Sequence, residues 1–366
     1  MNMKKSIFSF GTLLLFSAIL WSCSDNSDNN LEDDLTLVQL IEVKANALSD
    51  AVVNISESKG FEIITVEDDE NLKTGDSRFQ ININLTDIKG VYDYVQGMNE
   101  EPASTKMSSQ RRFNKVEDSD NFILRLPKEK AIKPWKLYEN EDEEYVNDFI
   151  ITTTEYEYKY SGGLQFDYLL NSEIEVEEEK VGELFVDWST AGEIPLDYES
   201  KFTFVDDYSV GVEFQLGDKI SYEFSLKKGD DILFQEEVEI TSSGDDEGEL
   251  EYSITLGSIK IVLNSESESY MVYRNGELQE GAVIQVINYR QNSNDAGIAF
   301  CRKGRDIKIT FADGDSIELS EFITDGTLVL MDKIFSSMYD MKFVKHIVDK
   351  VAREVYYTNL NANGVD

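Results

Sequence analysis

From Ile150 to Leu256 the apolar and aromatic residues fall on even positions, strand after strand. Ile150, Tyr156, Tyr158, Tyr160, Phe166, Tyr168, Leu170, Val186 and Trp188 carry the pattern through its first half. Phe202, Phe204, Phe214, Tyr222, Phe224, Leu226, Phe234, Val238 and Tyr252 carry it through the second. The odd positions are mostly Glu, Asp, Lys, Gln and Ser. A period of two is that of an antiparallel strand with one buried face.

The turns test the same reading. Opposed residues of a hairpin share a face, so an odd-length loop keeps the parity and a two-residue loop reverses it. Leu216 and Ile220 flank a three-residue loop, and Leu226 and Ile232 a five-residue one; parity is kept at both. At Gly257-Ser258 a two-residue turn intervenes, and the apolar set moves to Ile259, Ile261 and Leu263. Asn275-Gly276 and Asp313-Gly314 add two further hairpin signals.

Helical spacing brackets this meander. Leu37, Leu40, Ile41, Ala45, Leu48 and Val52 predict an amphipathic helix over 35–56. Ile334, Met338, Met341, Val344, Ile347, Val348, Val351 and Val355 predict a second over 331–356. Between them the pattern predicts strands over 60–95, a polar mobile loop over 96–120 and a β meander over 121–330. The expected architecture is mainly β (α+β): one module, 35–366, whose antiparallel meander forms a curved sheet or barrel-like layer with a helix at each end. A β-sandwich is the alternative.

Alternation also suits an outer-membrane barrel, but runs such as 209–216 and 220–226 are shorter than the nine to eleven or so residues that span a bilayer. The even face is therefore read as an interior to be closed, folded or covered. Because a buried tyrosine needs a partner for its hydroxyl, the interior is a candidate cavity. Its lining would be Tyr156, Tyr158, Tyr160, Phe166, Tyr168, Trp188, Phe202, Phe204, Phe214, Tyr222, Phe224, Phe234 and Tyr252. Tyrosines at a sheet rim with hydroxyls in solvent are the plainer reading.

Composition narrows the chemistry. The chain has 34 basic and 72 acidic side chains, a net charge of −38, which repels nucleic-acid phosphates and argues against nucleic acid as a partner. Only Cys23 and Cys301 occur, with a single histidine, His346. That inventory offers no disulfide framework, no zinc site of the usual kind and no Ser-His or Cys-His pair that does not depend on one residue. No phosphate-binding glycine loop is present, and no cofactor or catalytic residue is predicted. Acid runs at 245–247 and 313–315 sit at predicted hairpin tips, where Asp and Gly are turn formers before they are calcium ligands. A carboxylate-dependent glycosidase, with Trp135 and Trp188 for sugar stacking, remains an alternative.

The chain opens with Lys4-Lys5, an apolar run over 6–20, and Leu20-Trp21-Ser22-Cys23. A basic start, a short apolar core and a small residue before the cut describe a secretory signal, 1–22. Leu20 to Cys23 resembles a bacterial lipobox, with Trp21 departing from the usual small residue. The following acidic segment, 23–34, with Asp25, Asp28, Glu32, Asp33 and Asp34, resembles the tether of Bacteroidota surface-exposed lipoproteins. The resemblance implies lipidation of Cys23, with the outer membrane holding the module by its acyl chains, at the cell surface or alternatively facing the periplasm. In element order alone, helix then meander then covering helix, the chain resembles periplasmic lipoprotein carriers with an open half-barrel. The expected function is a non-enzymatic extracytoplasmic binding protein for a hydrophobic ligand, a protein or a glycan. An accessory subunit of an outer-membrane complex is the other non-enzymatic alternative. Cys23→Ser is expected to move the protein from the detergent phase to the aqueous phase on Triton X-114 partition and to abolish incorporation of labelled palmitate.

Overall fold

The computed structural model describes residues 35–64, 80–96, 112–133, 137, 145–163, 165–190, 196–217, 219–241, 249–264, 269–288, 305–312, 314–321, 323, 326–327, 329–331, 333–334 and 342–362. The signal segment, the tether with Cys23, Cys301 and the acid run 245–247 lie outside them. The chain divides into two units at Leu40–Ile41, and of the first only 35–40 are described. There Thr36 and Gln39 form a reciprocal cap, Thr36 N–H to Gln39 Oε1 at 3.0 Å and Gln39 N–H to Thr36 Oγ1 at 3.3 Å. This opens helix α1 (Leu37–Ser56).

The fold is mainly β, and its principal sheet has 15 strands. Its meander runs β5 (Phe149–Gly162), β6 (Gln165–Val176), β7 (Glu179–Thr190), β8 (Leu196–Phe204) and β9 (Tyr208–Leu216). It continues through β10 (Lys219–Lys228), β11 (Asp231–Thr241), β12 (Glu249–Leu256), β13 (Ile259–Asn264), β14 (Ser269–Arg274) and β15 (Glu277–Leu278). Each of these strands pairs antiparallel with the next. At the other end β2 (Gly90–Tyr94) pairs parallel with β4 (Phe122–Leu126) and antiparallel with β3 (Phe113–Glu117). The two-residue β1 (Ile83–Asn84) joins β5. The order ends at β15 and β3, so the sheet is open and not a closed barrel. A separate three-stranded sheet holds β16 (Val283–Asn288), β17 (Arg305–Thr310) and β18 (Ser316–Glu318).

Several expectations change. The apolar run at 60–64 is not a strand but helix α2 (Lys59–Ile64). Ser58 Oγ accepts the Phe61 N–H at 3.1 Å, capping it, and Gly60 lies so close that an added Cβ would stand 2.8 Å from the Val181 carbonyl oxygen. Within 80–95 the chain breaks into β1, a helical turn α3 (Leu85–Ile88) and β2, because the Asp87 carboxylate accepts the Asn84 N–H at 2.9 Å. The polar loop expected over 96–120 contains β3, anchored by Phe113 edge-on to Tyr94 at 5.7 Å. The meander is interrupted by α4 (Lys128–Ala131); of the helix expected over 331–356, residues 331 and 333–334 are helical, 335–341 lie outside the described residues, and α5 spans Lys342–Ala362.

Parity holds, with bulges as its exceptions. In β5 it is Phe149, Ile151 and Thr153 that are buried and Ile150 that is half-exposed, because the register slips between Thr153 and Glu155 and moves the core face to Tyr156 and Tyr158. Leu226 pairs with Phe234, not Ile232, through a bulge at Leu226/Lys227 that offsets the short turn. Leu216 pairs with Ile220, and Leu256 with Ile259, as parity requires.

Two helices lie on the apolar face. Helix α1 donates Asn54 Nδ2 to the Tyr208 hydroxyl at 3.3 Å, and its Ile41 meets Phe234 and Ile259 around a cavity of about 20 Å³. That is room for about one water in an apolar wall, which favours a dry void over a ligand site. Helix α5 stacks Phe343 edge-on to Phe149 at 6.5 Å.

The β6–β7 turn carries an uncommon strain. Glu177 and Glu178 have φ of 54° and 67°, the left-handed conformation that a two-residue hairpin turn demands and that Asn-Gly suits better. Lys59 of α2 holds this turn by ion pairs to Glu177 at 3.5 Å and to Glu179. Glu178→Gly is expected to raise the urea unfolding midpoint, by about 1 kcal/mol of stability, through relief of this conformation.

Candidate functional site

The register lines up one row of side chains across the meander. Tyr158 pairs with Tyr168, Tyr168 with Trp188, Trp188 with Tyr198 and Tyr198 with Phe214. Phe214 pairs with Tyr222, Tyr222 with Val238 and Val238 with Tyr252. Directly opposed residues point to one side, so this is a continuous band at right angles to the strands, aromatic at every position but Val238. Phe166 and Trp188 meet edge-on at 4.8 Å, and Trp188 and Tyr198 at 5.9 Å. A second apolar row, Leu196, Leu216, Ile220, Ile240 and Leu250, runs beside it.

Burial divides the band. Under α5, Tyr168 is 2% exposed, and its hydroxyl and that of Tyr156 donate to Asp349 Oδ1 at 3.0 and 3.1 Å. Lys345 closes the group, with Nζ 2.7 Å from Asp349 Oδ2 and 4.3 Å from the Tyr168 ring centre. Burial, reinforced by the Asp349 charge, holds both phenols well above the ordinary tyrosine value. They therefore stay protonated and donate, which makes this clasp a fastening for α5 and not a base or nucleophile. His346, the single histidine, is half-buried; burial and the neighbouring Lys350 lower its pKa.

Away from α5 the band opens. Trp188, Tyr198, Phe214, Tyr222 and Tyr252 are half-exposed, and Ile220 and Leu250 beside them are each 37% exposed. Among the described residues the Trp188 indole Nε1–H has no hydrogen-bond partner. The expected cavity residues thus separate into groups. Tyr156, Tyr158, Phe166 and Tyr168 are core; so are Phe202, Phe204, Phe224 and Phe234, and Tyr160 is half-exposed near the end of β5. Trp188, Phe214, Tyr222 and Tyr252 form the open band.

One polar residue interrupts this face. Glu236 stands between Phe224 and Ile254 in the register, where parity calls for an apolar side chain. Its Oε1 accepts the Tyr252 hydroxyl at 2.8 Å. Burial raises its pKa and the Tyr252 hydrogen bond partly offsets this. The signal for it lay in the sequence, as the single acid among the even positions 232–240. Lys345 and Asp349 have the four-residue spacing of a helical ion pair, but the meeting of Asp349 with Tyr156 and Tyr168 had no such signal, because those phenols lie far away along the chain.

The opposite face is acidic in the same register. Asp187, Glu199, Glu213, Glu223 and Glu237 are direct neighbours on successive strands. Lys227 lies 3.9 Å from Glu223 and Lys260 3.3 Å from Glu237. Among the described residues no group of His, Cys, Asp or Glu gathers in a way that holds a metal ion. No protein-family model, no curated protein and no solved structure matches the chain.

Glu199 and Glu223 have raised pKa values, first through burial and then through the Glu213 charge between them. A carboxyl that binds its proton more tightly folded than unfolded stabilises the fold below its unfolded pKa, and that contribution is lost as pH rises through the folded value. The meander should therefore gain stability from this row as pH falls from neutral toward the ordinary glutamate range. Glu213→Gln is expected to raise the urea midpoint at pH 7 by about a few tenths of a kcal/mol, and to shrink the gain between pH 7 and pH 5. An unchanged pH dependence would exclude the row as its source.

Proposed function

We propose that this protein is a lipid-anchored extracytoplasmic binding protein without catalytic chemistry, tethered through Cys23 at the outer membrane with its β module at the cell surface. The observation that supports binding is the open stretch of the band, Tyr198, Phe214, Tyr222, Val238 and Tyr252, lying beside Ile220 and Leu250 at 37% exposure. Contiguous apolar surface of this kind marks interaction sites, and aromatic side chains supply much of the contact energy at such sites. The titratable groups packed against the band support binding over chemistry. Tyr156 and Tyr168 are kept protonated, and Asp349 is engaged by three donors.

The acidic row on the other face favours an accessory role as a second reading, with a basic surface of an outer-membrane complex docking there. The two readings use opposite faces of one sheet, so substitutions separate them.

Nile red, a neutral apolar dye, is expected to bind the full chain with enhanced fluorescence, and Tyr222→Glu to weaken that binding severalfold while leaving the urea midpoint close to the parent. Equal dye binding by the variant removes the band as a binding surface. Proteinase K added to intact cells is expected to degrade the module; protection until the outer membrane is permeabilised rejects surface display.

A further inference from the structure

The covered and open parts of the band are one surface, and the covered part records what fits it. There an amphipathic helix, α5, lies on the aromatic row, places Lys345 over the Tyr168 ring at 4.3 Å, and brings its own Asp349, 2.7 Å from Lys345, to the Tyr156 and Tyr168 hydroxyls. In the open part aromatic rings are present and so is a carboxylate, Glu236. Glu236 receives the Tyr252 hydroxyl, and among the described residues no lysine or arginine pairs with it. A carboxylate set among Phe224, Phe234 and Ile254 loses hydration for little return unless a cation meets it.

Resting on the binding role proposed above, we infer that the open band seats an amphipathic helix of a partner protein, which lays its apolar side on Tyr198, Phe214, Tyr222 and Val238 and delivers a lysine or arginine to Glu236. The dimensions agree. From β8 to β12 the band crosses four interstrand gaps of about 4.8 Å, or about 19 Å, the length of about thirteen helical residues. Helix-in-groove recognition uses such a surface, with apolar anchors at helical spacing. A cation poised over tyrosine faces and beside a carboxylate gains from both. The net charge of −38 also draws a basic segment toward the protein over distance.

The test uses the full chain in lipid nanodiscs, with empty nanodiscs as the blank, and two fluorescein-labelled helical peptides of about fourteen residues. Both carry leucines on one face; one has a central lysine on that face and the other norleucine in its place. Anisotropy titration is expected to show the lysine peptide binding about tenfold more tightly than the norleucine peptide, the weight of one charge-assisted contact. Glu236→Gln, which keeps a side-chain carbonyl for Tyr252, is expected to bring the two peptides to equal affinity without lowering the urea midpoint. Tyr222→Glu is expected to abolish binding of both.

Equal affinities on the parent protein, or a difference that survives Glu236→Gln, overturn the cation contact. If neither peptide binds while Nile red still does, the band takes a small apolar ligand and the helix is overturned. Loss of Nile red discrimination by Tyr222→Glu instead defeats the underlying binding role, so the two failures are distinct.

Discussion

From β5 to β14 each strand turns its apolar side chains to one common side, and that side is unfavourable wherever water reaches it. An open sheet cannot satisfy the demand by closing on itself. It needs other elements laid across it, and the helices at the two ends of the module supply them. Helix α1 lies against Phe234, Ile259 and Tyr208, and α5 lies against Phe149, Tyr156 and Tyr168. Even the short helix α2 belongs to this arrangement, since Gly60 brings its backbone onto Val181 and Phe204. What these elements leave half-exposed is the stretch of band between Tyr198 and Tyr252.

Charge shapes the same sheet from both sides. On the outward face, carboxylates from Asp187 to Glu237 stand directly opposite one another, an arrangement that opposes strand pairing. The strands nevertheless pair in full register there, so the apolar contacts on the other face outweigh the repulsion. On the inward face the polar groups are few and tied down. Thr153 and Ser172 bond each other at 2.9 Å within the core, and Asp349 gathers two phenols and an ammonium. Glu236 has one phenol only. Burial works against its charge, and it stands where the face turns from buried to open.

Much of this was legible in the order of residues, for an identifiable reason. Period-two alternation is local, so the strands from β5 to β13 and most of their turns follow from side chains that are neighbours along the chain. The exceptions are also local in origin but weaker in signal. Ile150 departs from parity because one bulge residue, between Thr153 and Glu155, moves the core face by a single position. The run at 60–64 has the composition of a strand, yet Ser58 caps it into a helix and Gly60 needs close approach to a distant carbonyl. At Phe113 a polar stretch still pairs with β2, because one ring packed on Tyr94 is enough to seat it.

By itself the sequence determined the face that each meander strand buries, the acidic composition and the helices that bracket the sheet. Those properties depend on periodicity and composition, which act over a few residues at a time. Only the tertiary structure decided which parts of the apolar face the helices cover, that the sheet stays open, and that Tyr156, Tyr168 and Asp349 meet although some 180 to 190 residues apart. It also decided that one unbroken apolar row, aromatic but for Val238, runs from Tyr158 to Tyr252, partly sheathed and partly exposed. Coverage is a matter of which distant elements reach a given spot, and alternation along a strand, identical in its covered and its open reaches, carries no record of that.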